Sequence, residues 1–246
     1  MIGHDQFFNY EENRKKVREM DELTPRQINL LVAFPIFIVI AIILGILILR
    51  RDPHYKANQF FALAFWLNGI ALLFNLLYLF SQDTFLISVL NKASIGSINM
   101  GLIIMLFGIL TLYKGENWVK ETKTLYWFIT LLVILLTVQN FLPIDVNIPE
   151  YTPEWSLQFG LFQILFGQSL FITLLYFSIR LYRELSAEIK RRFRRFVLGT
   201  IFINLTTSSV TIQNMQIIEN YEPIAAVLNL GAFIAIILIY FGIVRR

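Results

Sequence analysis

The stretch NLTTSSVTIQN, residues 204–214, has eight polar side chains among eleven residues and carries no charge. Amides and hydroxyls donate and accept hydrogen bonds without titrating near neutrality. They suit pairing between helices, or holding water or a small neutral molecule. They do not suit acid–base catalysis, which needs a group whose pKa is near the working pH. At about 100° per residue, Asn204, Thr207, Ser208 and Thr211 share one helical face. Thr206, Ser209 and Gln213 widen that face, and Leu198, Ile201, Leu205 and Ile212 form the remaining apolar strip. A helix with so narrow an apolar strip is expected at the centre of a bundle.

Other apolar segments supply further uncharged polar groups. Asn68 and Asn75 share a helical face with Ala64 and Ala71. Asn99 lies beside a small-residue seam of Ser94, Ser97, Gly101 and Gly108. Gln163 stands beside Gly160 and Gly167, whereas Gln158 and Gln168 point elsewhere, and Asn229 lies in the last apolar segment. Small residues let helices approach closely, and a neutral hydrogen bond between membrane helices contributes only about 0.6 kcal/mol on average. Two readings stay open for this set: polar packing between helices, or a polar pocket or water-lined path.

What is missing narrows the chemistry. There is no Cys, which excludes disulfides, thiolate chemistry and Cys-held metals. The two His, His4 and His54, fall outside the apolar segments. The last Lys is Lys190, in a polar loop, so no final-helix Lys is present for a retinal Schiff base. No intramembrane nucleophile–base pair or zinc-protease motif is visible. Ion-coupled transporters and proton relays place ionisable groups within the bilayer, and none is found in these segments. The chain is therefore expected not to be an enzyme and to need no cofactor.

The elements that must position these residues follow from composition. Of 246 residues, 57% are hydrophobic and 15% charged, against about 25% charged in soluble domains. The mean hydropathy is +0.63. Segments 27–49, 57–80, 93–113, 124–142, 155–179, 196–218 and 223–244 contain no Asp, Glu, Lys, Arg or His. A helix needs about 20 residues to cross about 30 Å of hydrocarbon, and lipid forces backbone groups to bond within the segment. The expected fold is an all-α integral membrane protein with seven transmembrane helices: a seven-helix domain over 27–246 after an exposed polar segment over 1–26. Thr24-Pro25 is expected to open the first span, Thr152-Pro153-Glu154 the fifth and Glu222-Pro223 the seventh, with Pro at the first helical position. Pro35 should kink the first span. Apolar residues ahead of the third span begin at Phe85, which puts Asn91 and Lys92 at the outer interface.

Orientation follows from Lys and Arg, which accumulate in cytoplasmic loops. The loops after spans one, three and five, with the C-terminus, hold 15 of the 21 basic residues. The N-terminus is then outside and the C-terminus cytoplasmic, in a cell membrane. The densest run, EIKRRFRRF at 188–196, contains Lys190, Arg191, Arg192, Arg194 and Arg195. It reads as the topology signal continued into a helix. A second reading is a docking surface for anionic lipid or an acidic partner, with Phe193 and Phe196 dipping into the interface. Nucleic acid is not expected as a partner.

The layout, with RRFRRFVLGTIFINL before span six and YEPIAAVLNLGAFIAIILIYFGIVRR around span seven, resembles the N-terminal seven-helix membrane sensor region of prokaryotic histidine kinases. In that family a cytoplasmic signalling domain follows the last span, whereas here two residues follow it. The resemblance therefore implies a stand-alone receptor or sensory module. It would bind a small neutral or lipid-like ligand and signal through a separate cytoplasmic protein at its basic loop, or within a homo- or hetero-oligomer. An uncoupled channel or facilitator for a small solute, or a structural subunit of a membrane assembly, fits the same residues.

Overall fold

The computed structural model describes residues 25–148, 151–216, 231, 234–239 and 241–242. The polar segment up to residue 24, Glu222-Pro223 and Asn229 lie outside the described residues. The elements are α1 (Pro25–Arg51), α2 (Lys56–Tyr78), α3 (Thr84–Lys114), the single turn α4 (Glu116–Val119), α5 (Thr122–Phe141), β1 (Ile144–Asn147), β2 (Thr152–Trp155), α6 (Leu157–Glu184) and α7 (Ala187–Asn214). Among the described residues, six helices are long and apolar enough to cross a membrane: α1, α2, α3, α5, α6 and α7. The architecture is that of an α-helical multi-pass membrane protein. In the last apolar segment, Gly231, residues 234–239 and residues 241–242 are helical. There Ala235 and Ile239 are fully buried, beside Gly199 of α7.

Lipid explains the outward faces. Val32, Ile36, Val39 and Ile43 are exposed on α1, and Ile129, Val133 and Leu136 on α5, both at helical spacing. In water such stripes would be an association hazard; in a bilayer they face acyl chains. Leu198, Ile201 and Leu205 of α7 are exposed in the same way, so the apolar strip of that helix is its outer face.

The centre of the bundle is α3 rather than α7. In the most apolar stretch of α3, 78% of residues are buried, against 17–33% in the other five spans. Among the described residues, α3 packs on α2, α5, α6 and the hairpin, while α7 packs on α6 and, through Gly199, on the last helical segment. The physical reason lies in side-chain size. Ala57, Ala64 and Ala71 of α2 are wholly buried, and Gly101 lets the α2 backbone close in. A Cβ there would stand 3.2 Å from the Ala64 carbonyl oxygen and 2.9 Å from Asn68 Nδ2. Such contact replaces the hydrophobic effect, which gives no drive between helices already in lipid. Gly160 of α6 is similarly covered by the Met215 side chain, but Gly167 has nothing within 4 Å among the described residues. Larger side chains fill the interior, with Phe61 and Phe196 in edge contact at 5.9 Å between ring centres.

α1 runs unbroken through Pro35, whose ring nitrogen leaves the Leu31 carbonyl without its usual donor. α3 has 31 residues, about 45 Å at about 1.5 Å each, longer than the hydrocarbon layer. Asp83 starts it, its carboxylate accepting from Phe85 N at 2.9 Å and Leu86 N at 3.3 Å.

One local expectation needs correction. The segment joining α5 to α6 is an antiparallel hairpin, with Ile144 opposite Trp155 and Asn147 opposite Thr152. Thr152 and Pro153 therefore belong to β2 and do not open α6. Ser156 caps α6 instead, its hydroxyl accepting from Phe159 N at 3.2 Å. A two-stranded ribbon has two free edges, so Pro153 sits in it without breaking a ladder bond. Asn91, at the hairpin end of α3, is 3% exposed, because the hairpin folds over it.

Charge separates the two ends of the bundle. Where α1, α3 and α6 finish and α2, α5 and α7 begin stand Arg50, Arg51, Lys56, Lys114, Lys120, Lys123, Arg180, Arg183 and the run from Lys190. Contacts tie these ends together. Lys56 N donates to Glu116 Oε1 at 2.7 Å, and Tyr113 meets Phe177 at 5.9 Å. Among described residues, the hairpin end carries Lys92, Asp83, Asp145 and Glu154.

Candidate functional site

The polar side chains form two clasps on α6. In the first, Asn99 Nδ2 of α3 donates to Gln163 Oε1 at 2.7 Å, and both residues are buried. In the second, Gln168 Nε2 donates to Asn204 Oδ1 at 2.9 Å, while Asn204 Nδ2 donates to Gln168 Oε1 at 3.0 Å. Gln168 Nε2 also donates to Ser208 Oγ at 2.7 Å. The partner of Asn204 is thus Gln168, on the side of α6 away from Gln163.

The hydroxyls of α7 turn inward on their own helix. Thr207 Oγ1 donates to Ile203 O at 2.9 Å, Ser208 Oγ to Asn204 O at 2.8 Å and Thr211 Oγ1 to Thr207 O at 3.0 Å. This return to the carbonyl one turn earlier is the usual way for a hydroxyl to enter an apolar helix. Asn68 does the same, with Nδ2 on Ala64 O at 2.7 Å. Asn75 is half-buried and has no side-chain partner among the described residues. Of the nine amide and hydroxyl candidates among the described residues, five meet across helices: Asn99, Gln163, Gln168, Asn204 and Ser208.

The structure adds three groups that spacing did not single out. Trp155 Nε1 of β2 donates to Asn91 Oδ1 at 3.0 Å, both buried. Gln139 Nε2 of α5 donates to the Lys92 carbonyl and lies against Gly96. Asn91 and Gln139 were legible as lone amides next to apolar runs. Their partners were not, because a tryptophan beyond a turn and a main-chain carbonyl leave no periodic trace.

These groups do not exhaust their hydrogen-bonding capacity. Among the described residues, Ser94 Oγ, Gln139 Oε1, Thr152 Oγ1, Gln163 Nε2 and Ser178 Oγ are buried without a hydrogen-bond partner. The first four stand around the hairpin half of α3 or in the hairpin itself, whereas Ser178 lies toward the basic end of α6. Buried polar atoms of this kind are normally satisfied by water or a ligand. Chemically the region offers uncharged donors and acceptors, fit for a hydroxyl, carbonyl or amide. Among the described residues no three or more His, Asp or Glu gather to hold a metal ion.

The basic run occupies the first turns of α7. Lys190 Nζ donates to Arg183 O at 3.3 Å and lies over the Tyr182 ring at 5.5 Å. Arg192 pairs with Glu188 at 2.7 Å, and Arg195 lies over the Phe241 ring at 5.9 Å. Arg191 and Arg194 are exposed, with no ion pair among the described residues. A helix N-terminus disfavours cations, so folding of α7 does not call for this run. Phe193 and Phe196 are buried in the core and do not dip into the lipid interface; Phe196 meets Phe61 of α2 and lies against Gly242 of the last helical segment. Nearby, Tyr55 has its phenol pKa raised above 10.0 by burial first, then by Glu116 and Asp52.

A groove of about 450 Å³ lies away from both clasps, lined by Ile46, Leu49, Arg50, Pro53 and Trp66. No protein-family model matches the chain, and no curated protein matches its sequence.

Proposed function

We propose that the chain is a multi-pass receptor module that takes a small neutral molecule between α3 and α6. The observation that carries this reading is Gln163 Nε2, buried beside Asn99 and without a hydrogen-bond partner among the described residues. A ligand carbonyl or hydroxyl oxygen accepts that hydrogen, and Ser94 and Thr152 provide further polar contacts toward the hairpin. Seven spans, with the N-terminus outside and the basic end in the cytoplasm, complete the arrangement. Arg191 and Arg194 are then the groups that meet a cytoplasmic protein. The resemblance to histidine-kinase sensor regions supports the same reading and points to a prokaryotic cytoplasmic membrane.

The test is native purification in mild detergent, with mass spectrometry of co-purifying small molecules and proteins. A bound neutral molecule, lost in Gln163→Leu with the fold retained, is the expected result. Absence of any such molecule, with no thermal shift across a panel of neutral ligands, overturns it.

A second reading, a structural subunit of a larger membrane assembly, is favoured by the mutual pairing of Gln168 and Asn204. Amides that satisfy one another leave little to offer a solute. Co-purification of a stoichiometric membrane partner without a small ligand distinguishes this reading.

A further inference from the structure

Trp66 forms one wall of the groove between α1 and α2. Its indole N–H donates to Ile42 O at 3.4 Å. The ring lies against Gly45, where a Cβ would overlap it. The wall is therefore fixed by a helix-to-helix contact that only glycine permits. Ile46 and Leu49 extend the apolar lining, and exposed Ile42 and Ile43 continue it onto the outer face of α1. The groove thus opens toward acyl chains.

Arg50 stands at its polar end. The side chain is exposed and has no ion pair among the described residues. The nearest acid in sequence, Asp52, is engaged in the loop, its Oδ1 accepting from His54 N at 3.1 Å and Tyr55 N at 3.2 Å. A volume of about 450 Å³ is too small for a helix, which is about 10 Å across with its side chains. It suits one flexible chain. Free phosphate would satisfy Arg50 and leave the apolar walls unused.

We infer that this groove holds one anionic phospholipid, with the phosphate on Arg50 and an acyl chain along Ile46, Leu49 and Trp66. A basic side chain at the headgroup level favours anionic over neutral lipid by about fivefold.

The experiment uses the full chain in phosphatidylcholine vesicles containing dibrominated phosphatidylglycerol or dibrominated phosphatidylcholine at equal mole fraction. Bromine quenches tryptophan at contact. The Trp66 signal is the difference between the wild type and Trp66→Phe. Quenching at Trp66 should show about fivefold preference for the anionic lipid. That preference should fall to near unity in Arg50→Gln, with circular dichroism unchanged. It should persist in the double variant Arg191→Gln/Arg194→Gln, which removes charge elsewhere at the same end. Equal quenching by the two lipids overturns the proposal. So does a preference that survives Arg50→Gln, or one abolished by the Arg191/Arg194 variant, since either means that the general basic field and not the groove gathers the lipid.

Discussion

Asn99 and Gln163 behave as a coupled pair. Replacing Gln163 by Leu leaves Asn99 Nδ2 without its acceptor and should cost about 1 kcal/mol. The double variant Asn99→Leu/Gln163→Leu should cost less than the two single changes added together. Unfolding by sodium dodecyl sulfate titration in mixed micelles reads both, and strict additivity would show that the bond is not made. Tyr55 gives a pH prediction. Its folded pKa is raised above the unfolded value of 10.0, so the folded state holds the proton more tightly. That contribution is fully present below pH 10 and is lost as pH rises through the folded pKa. Tyr55→Phe should reduce the alkaline loss of stability, seen as a smaller fall in melting temperature above pH 10. At this scale the sequence was legible in part. Amides in apolar runs marked Asn99, Gln163, Gln168 and Asn204, because an uncharged polar group in lipid needs a partner. The pairing was not legible: Gln168 and Gln163 lie on different sides of α6, and only the neighbouring helices decide which amide each one meets.

Among the elements, the six long helices were readable because 19 or more residues without charge leave lipid few alternatives. The hairpin was harder. Ile144-Asp145-Val146-Asn147 does alternate, but four-residue strands are too short to stand out, and Pro153 argued for a helix start. Packing then assigned Ser156 the capping role. Ser156→Ala should cost about 1 kcal/mol, whereas Thr152→Ala should leave the start of α6 unaffected, as read by hydrogen exchange at Phe159 N. The contact between α7 and the last helical segment is equally specific. A Cβ on Gly199 would stand 2.6 Å from Ile239 Cγ1 and 2.7 Å from Ala235 O. Gly199→Val should therefore separate the two segments and cost about 1–3 kcal/mol, measurable as earlier proteolysis of the C-terminal segment than in the wild type.

For the whole molecule, charge at the two ends gives a direct topology experiment. The chain has no Cys, so single introduced cysteines report without background. Asp145→Cys in β1 should react with a membrane-impermeant maleimide in intact cells, and Glu188→Cys in α7 only after permeabilisation. Labelling in the opposite sense would reverse the proposed orientation. The bundle layout was legible from hydropathy, but its centre was not. Polarity pointed to α7, whereas the small residues of α2 and the glycines of α3 decided that α3 would be enclosed. That enclosure has a mechanical consequence. The bonds Asn91–Trp155 and Asn99–Gln163 both link residues 64 apart in sequence, so α3 runs parallel to the chain entering α6 and in fixed register with it. A piston slide of one turn, about 5.4 Å, would unlatch both at once and offer neither a new acceptor. The pair acts as a detent that favours movement of α3 and α6 as one body.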